Sequence, residues 1–106
     1  MKDKNYILQM IKQKVQETEP GATLILYGSY ARGEEREDSD IDILILIDSD
    51  KEKITGKDRD RLISPICRVE LETEKVISPV FYTKKGWANH KVSPYYENIN
   101  KEGIVL

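Results

Sequence analysis

Cysteine, histidine, tryptophan and phenylalanine each occur once in the 106 residues. A single cysteine, Cys67, cannot close an internal disulfide. Set between Ile66 and Val69, it is expected to be a buried thiol that packs as a small hydrophobe. A single histidine, His90, with no second His or Cys nearby, excludes a zinc centre by count and reads as a surface or hydrogen-bonded side chain rather than a general base. No apolar run approaches the roughly 20 residues of a membrane helix. The first residues, Met1-Lys2-Asp3-Lys4, do not have the character of a signal peptide, so the expected location is cytoplasmic. The formal charge is −2, and with no basic tail or stripe there is no electrostatic footprint for generic nucleic-acid binding.

The length suits one domain over residues 1–106, enough for a single core but too short to add a separate substrate domain. Charged residues make up 34% and apolar residues 39%, a balance typical of a folded chain rather than a disordered one. The oligomeric state is left open, homo-oligomers included.

Two apolar runs organise the chain. Leu24 to Tyr27 is short and bounded by glycines, and it reads as a buried strand that stops at Gly28. Asp40-Ile41-Asp42-Ile43 opens a second strand running to Ile47. Strand side chains alternate faces, so Asp40 and Asp42 share one face and the isoleucines the other. Two carboxylates so placed repel each other unless a cation sits between them. Mg²⁺ takes oxygen ligands and is commonly held by one or two carboxylates together with substrate phosphates. Gly28 lets backbone come close to a phosphate, and Ser29 supplies a hydroxyl and an N–H at the start of a short helix, Tyr30 to Arg32. Together these elements describe a site for a metal and a nucleoside triphosphate. Arg32, one turn on, is placed to pair either with the triphosphate or with the sheet's own acids. Glu34 to Asp38 reads as a charged loop at the mouth of the site.

Gly28-Ser29, ten residues, then Asp40-Ile41-Asp42 resembles the signature of the polymerase beta nucleotidyltransferase superfamily. Ala31-Arg32-Gly33, with Ser39 before Asp40, is similar to its minimal nucleotidyltransferase branch. The resemblance implies an α/β (α+β) fold, a mixed sheet of about four strands with helices mainly on one face. It also implies Mg²⁺-dependent transfer of AMP from ATP to a hydroxyl, with Gly28, Ser29, Arg32 and Ser39 at the nucleotide. A third carboxylate, from a strand beside the two aspartates, completes the two-metal site in that superfamily. Glu70 is the expected residue, ahead of Glu72, and it departs from the usual Asp. Small members of this branch are commonly paired with an all-helical HEPN-domain protein in a toxin–antitoxin system, adenylylating a tyrosine of the toxin. Two other readings stay open: a degenerate nucleotide-binding module that neutralises its partner by contact, and an enzyme that adenylylates a small-molecule antibiotic.

Elsewhere, Asn5 to Glu17 has apolar residues at helical spacing and is expected to cover the sheet. A second helix is expected from about Glu52 to Cys67, with Thr55 as a possible cap and Pro65 kinking or ending its last turn. Asp58 and Asp60 alternate with Arg59 and Arg61, a salt-laced exposed face. Arg68 to Thr73 alternates charged and apolar residues, with Val69 and Leu71 inward, and is expected to pair with Val76 to Tyr82 as a β-hairpin across a Glu74-Lys75 turn, Pro79 keeping the second strand at a sheet edge. Ser93 as N-cap, Pro94 at the first position and Gly103 at the end define a last helix. Trp87, Tyr95 and Tyr96 form an expected aromatic cluster.

Overall fold

The computed structural model describes residues 3–90 and 93–106; Met1 and Lys2, part of the segment read for a signal peptide, lie outside the described residues. Helix α1 (Lys4–Thr18) starts at Asp3, whose carboxylate accepts the Tyr6 N–H at 2.8 Å. Its buried stripe, Ile7, Met10, Ile11 and Val15, follows the helical period. Strand β1 (Thr23–Tyr27), the single-turn α2 (Ser29–Arg32) and β2 (Ile41–Ile47) come next, then the long α3 (Gly56–Thr73) and β3 (Ile77–Thr83). Two short helices, α4 (Lys84–Ala88) and α5 (Pro94–Glu102), and a two-residue strand β4 (Ile104–Val105) complete the chain.

The four strands form one mixed sheet in the order β3-β2-β1-β4. β1 is antiparallel to β2, with Tyr27 opposite Asp42, and to β4. β2 and β3 run parallel, with Asp42 beside Ser78. Parallel neighbours need a long crossover, and α3 supplies it. The inward row Ile41, Ile43, Ile45 and Ile47 packs under α1 and α3 with Leu62, Ile66 and Val69. On the other face Leu44 and Leu46 pack with Trp87 of α4 and Ile99 of α5.

Several expectations are corrected here. There is no hairpin over 68–82: residues 68–73 are the last turns of α3, and only 77–83 form a strand. Leu62, Ile66 and Val69 fall at helical spacing and are all buried, whereas Leu71 is 82% exposed, which a strand alternating with Val69 would not produce. Pro65 neither ends nor bounds the helix; it is buried inside it. Thr55 is the N-cap as expected and forms a capping box with Asp58. Cys67 is exposed rather than buried, because Ile66 and Val69 turn inward and the residue after Ile66 points away. The fourth strand is β4, not the first arm of a hairpin. α1 and α3 cover one face, as anticipated, and the smaller α4 and α5 lie on the other.

Candidate functional site

β1 ends at Tyr27 and the chain turns at Gly28, which adopts φ +75°, a left-handed conformation suited to glycine. The turn is tight against β2: a Cβ on Gly28 would overlap the Oδ2 atom of Asp42. The Gly28 turn and the carboxylate strand are therefore in direct contact. Gly28 is the N-cap of α2 and offers no side-chain cap. Its carbonyl accepts the N–H groups of Ala31 and Arg32. Gly33, also left-handed, closes α2, and Glu34 N–H returns to the Ser29 carbonyl at 2.9 Å. The Ser29 hydroxyl makes no hydrogen bond among the described residues, which leaves it available to a ligand.

Asp40 is exposed, just before β2, and Asp42 is half-buried within it. Burial pushes the Asp42 carboxyl up, the charge of Asp40 adds to that, and Arg32 partly opposes it. Desolvation and like-charge repulsion are what a bound cation relieves. Two adjacent carboxylates against an open glycine turn fit a Mg²⁺ ion carried by a triphosphate, whose phosphates supply further oxygens. Among the described residues no cluster of three or more His, Cys, Asp or Glu side chains could hold a metal on its own.

Glu70, the expected third carboxylate, is not on a strand beside Asp42. It lies in the last turns of α3, and its carboxylate accepts the Ile77 N–H at 2.8 Å, fastening α3 to the start of β3. Glu72 is exposed on the same helix. The strand that does flank Asp42 is β3, Ile-Ser-Pro-Val-Phe-Tyr-Thr, which carries no acid and places Ser78 beside Asp42. Arg32 bonds Glu34 at 3.2 Å and Glu102 of α5 at 3.2 Å, so the acids it contacts directly are these two and not Asp40 or Asp42. Ser39 is turned to its own loop: its hydroxyl accepts the Arg36 N–H at 2.8 Å, and its N–H bonds the Arg36 carbonyl.

Two tyrosines missed in the sequence border the site. Tyr27 lies opposite Asp42, and its hydroxyl is 3.0 Å from that of Tyr95 on α5, the two rings meeting edge to face. Burial pushes the Tyr27 phenol up, helped by the hydroxyl and charge of Tyr95 and then by the charge of Asp42. Burial likewise raises Tyr95, which its bond to Tyr27 offsets in part and Asp42 reinforces. Strand parity and the β1–β2 pairing were the available signals for Tyr27. The aromatic cluster extends through Trp87 to Tyr82, His90 and Tyr96. A cleft of about 630 Å³ runs along β3 between Glu52 and His90, and it includes none of the phosphate-turn or carboxylate residues. Chemistry, not cavity size, identifies the site.

Comparison with known proteins bears on the fold and the family. A crystal structure described as a toxin-antitoxin with AMP-PNP aligns with 92% of this chain and 69% of its own, at a TM-score of 0.62 and 16% identity, a likeness of fold. A protein of Methanocaldococcus jannaschii named "Putative protein adenylyltransferase" is 44% identical over 61 residues, which span 58% of this chain and 59% of that relative. The family model described as Nucleotidyltransferase domain matches residues 8–103, and the chain belongs to that family.

Proposed function

We propose that this chain transfers AMP from ATP to a hydroxyl, with a tyrosine of a HEPN-type helical partner as the acceptor in a toxin–antitoxin pair. The observation that carries the reading is the contact between the left-handed Gly28 turn and Asp42. It joins a place for phosphates to a place for a cation with no side chain in between. The relative named a putative protein adenylyltransferase and the toxin-antitoxin fold solved with AMP-PNP support adenylyl transfer and a toxin–antitoxin setting.

Asp40 and Asp42 are the residues that would hold Mg²⁺, and the ion would neutralise phosphate charge and polarise the α-phosphorus when bound. Gly28 admits the triphosphate to the backbone. The Ser29 hydroxyl donates to a phosphate oxygen. Arg32 is anchored by Glu34 and Glu102, and its charge partly offsets the upward push on the Asp42 carboxyl. The protein's share of the catalysis is positioning and electrostatics, as phosphoryl-group chemistry requires. No helix among the described residues is long and apolar enough to cross a membrane. A cytoplasmic setting suits an intracellular nucleotide donor.

One observation favours a second reading. Ser78 stands where β3 would present a third carboxylate, so a module that binds nucleotide and neutralises its partner by contact is the alternative. The test is single-turnover transfer of labelled AMP to a co-expressed helical partner, beside Mg²⁺-dependent ATP binding measured by thermal melt. Transfer lost in Asp42→Asn establishes the transferase. Binding and neutralisation without transfer establish the contact module.

A further inference from the structure

We propose that Tyr95 is an intramolecular acceptor: with Mg²⁺ and ATP bound, the chain nucleotidylates its own Tyr95 hydroxyl. The inference rests on the nucleotidyltransferase reading of the site and names a second acceptor for it.

Asp42 is flanked on its own face by Tyr27 of β1 and Ser78 of β3. Tyr27 leads straight into the phosphate turn, and its ring belongs to the sheet. Tyr95 comes from a separate element, α5, which is seated on that same face through Ile99 and Tyr96. Its hydroxyl nevertheless reaches the edge of the site, 3.0 Å from the Tyr27 hydroxyl, at an exposed position. An acceptor has to approach from outside the turn that holds the leaving group, and Tyr95 is the hydroxyl that another element delivers there. Tyr95 is 36% exposed, so its side chain is open to solvent on the face that carries Asp42. The Tyr27 hydroxyl serves as a positioning partner, holding the phenol by a bond in which either oxygen can donate. Holding a nucleophile beside the reacting phosphorus converts a bimolecular step into a unimolecular one.

In the step, the Tyr95 phenolic oxygen attacks the α-phosphorus of ATP and forms a new P–O bond. The bond from the α-phosphorus to the β-bridging oxygen breaks, and pyrophosphate leaves with its electron pair. The phenolic proton passes to water at the exposed hydroxyl pair. The product is O-adenylyl-tyrosine, with no oxidant or further reactant needed.

The test uses the whole chain with MgATP labelled at the α-phosphate, peptide mapping that separates Tyr95 from the adjacent Tyr96, and a thermal melt with and without MgATP. The expected result is one AMP per chain on Tyr95, at a rate constant unchanged by dilution of the protein, and loss of the label in Tyr95→Phe. A melt on Tyr95→Phe verifies that it folds, and mapping of the unaltered chain locates the label independently of any variant. A MgATP-dependent melt shift without labelling, a label on Tyr27 or Tyr96, or a rate constant that rises with protein concentration overturns the proposal and leaves the nucleotidyltransferase reading standing. Absence of any melt shift overturns both.

Discussion

The two faces of the sheet are built to different standards. Beneath α1 and α3, the row Ile41, Ile43, Ile45 and Ile47 is at most 2% exposed and faces other apolar side chains. On the opposite face the same strand carries Asp42, Leu44 and Leu46, and the covering elements are two short helices, α4 and α5, that bury only the leucines with Trp87 and Ile99. The closed face establishes the fold. The other is covered at one end and left open at Asp42, so that a charged, partly desolvated group stands where a ligand can reach it. The core lies on one side of β2 and the candidate site on the other.

The strongest way to break that division is Ile45→Ala. Removing a fully buried isoleucine from the closed face is expected to cost about 2–5 kcal/mol, read as a lowered urea midpoint, with nucleotide affinity unchanged in the fraction still folded. Next comes Asp42→Asn, on the open face. Ligand at about 100 times its dissociation constant stabilises by about 2.7 kcal/mol, and the variant should lose that MgATP-dependent shift. The apo protein should behave in the opposite sense. Because the folded state raises the Asp42 carboxyl, its ionisation opposes folding. That penalty is absent below the ordinary carboxylate range, grows as pH rises toward the raised folded value, and is complete above it. Asp42→Asn should therefore melt higher than the parent at neutral pH, and the gap should close as pH falls below the carboxylate range. A gap that widens on acidification would refute the assignment.

Glu70 sharpens the same comparison, since it supports the closed side although its residue type suggests the site. Glu70→Ala orphans the Ile77 N–H and is expected to cost about 1–3 kcal/mol by chemical denaturation. AMP transfer by the folded fraction should be retained, and Glu70→Gln, which keeps an accepting oxygen, should be milder. Transfer abolished in a stable Glu70→Gln would return this residue to the site. The smallest effect belongs to Thr55→Ala, which removes the side-chain cap of α3 and should lower stability by about 1 kcal/mol with no change in nucleotide binding.

The phosphate turn and β2 were legible because residue type, spacing and a long apolar strand all agree there. In residues 68–73 they do not. Five or six alternating residues suit a strand, but they also suit the end of a helix whose buried stripe, Leu62, Ile66 and Val69, begins well upstream. A short window cannot separate the two periods, and a proline at position 65 reads as a helix end ahead of the stretch that decides the matter. A strand over these residues would carry Glu70 to the metal, whereas the helix that forms carries it to the start of β3. Strand β4 is two exposed residues long, too short for any periodicity, and the Tyr27–Tyr95 bond joins residues from opposite ends of the chain that only the tertiary structure brings together.

The mixed sheet also has a consequence for the order in which the molecule assembles. The antiparallel pair β1–β2 is bridged by α2 and one charged loop, so the glycine turn and both aspartates belong to a unit of short sequence separation. The parallel pair β2–β3 cannot register until all of α3 has been laid down between them. Loop closure over that span comes at a higher entropic cost and is expected later on the folding path. Pulsed hydrogen exchange should accordingly find amides of Leu24 to Tyr27 protected before those of Val80 to Tyr82, so that the candidate site is framed before the edge strand beside it arrives.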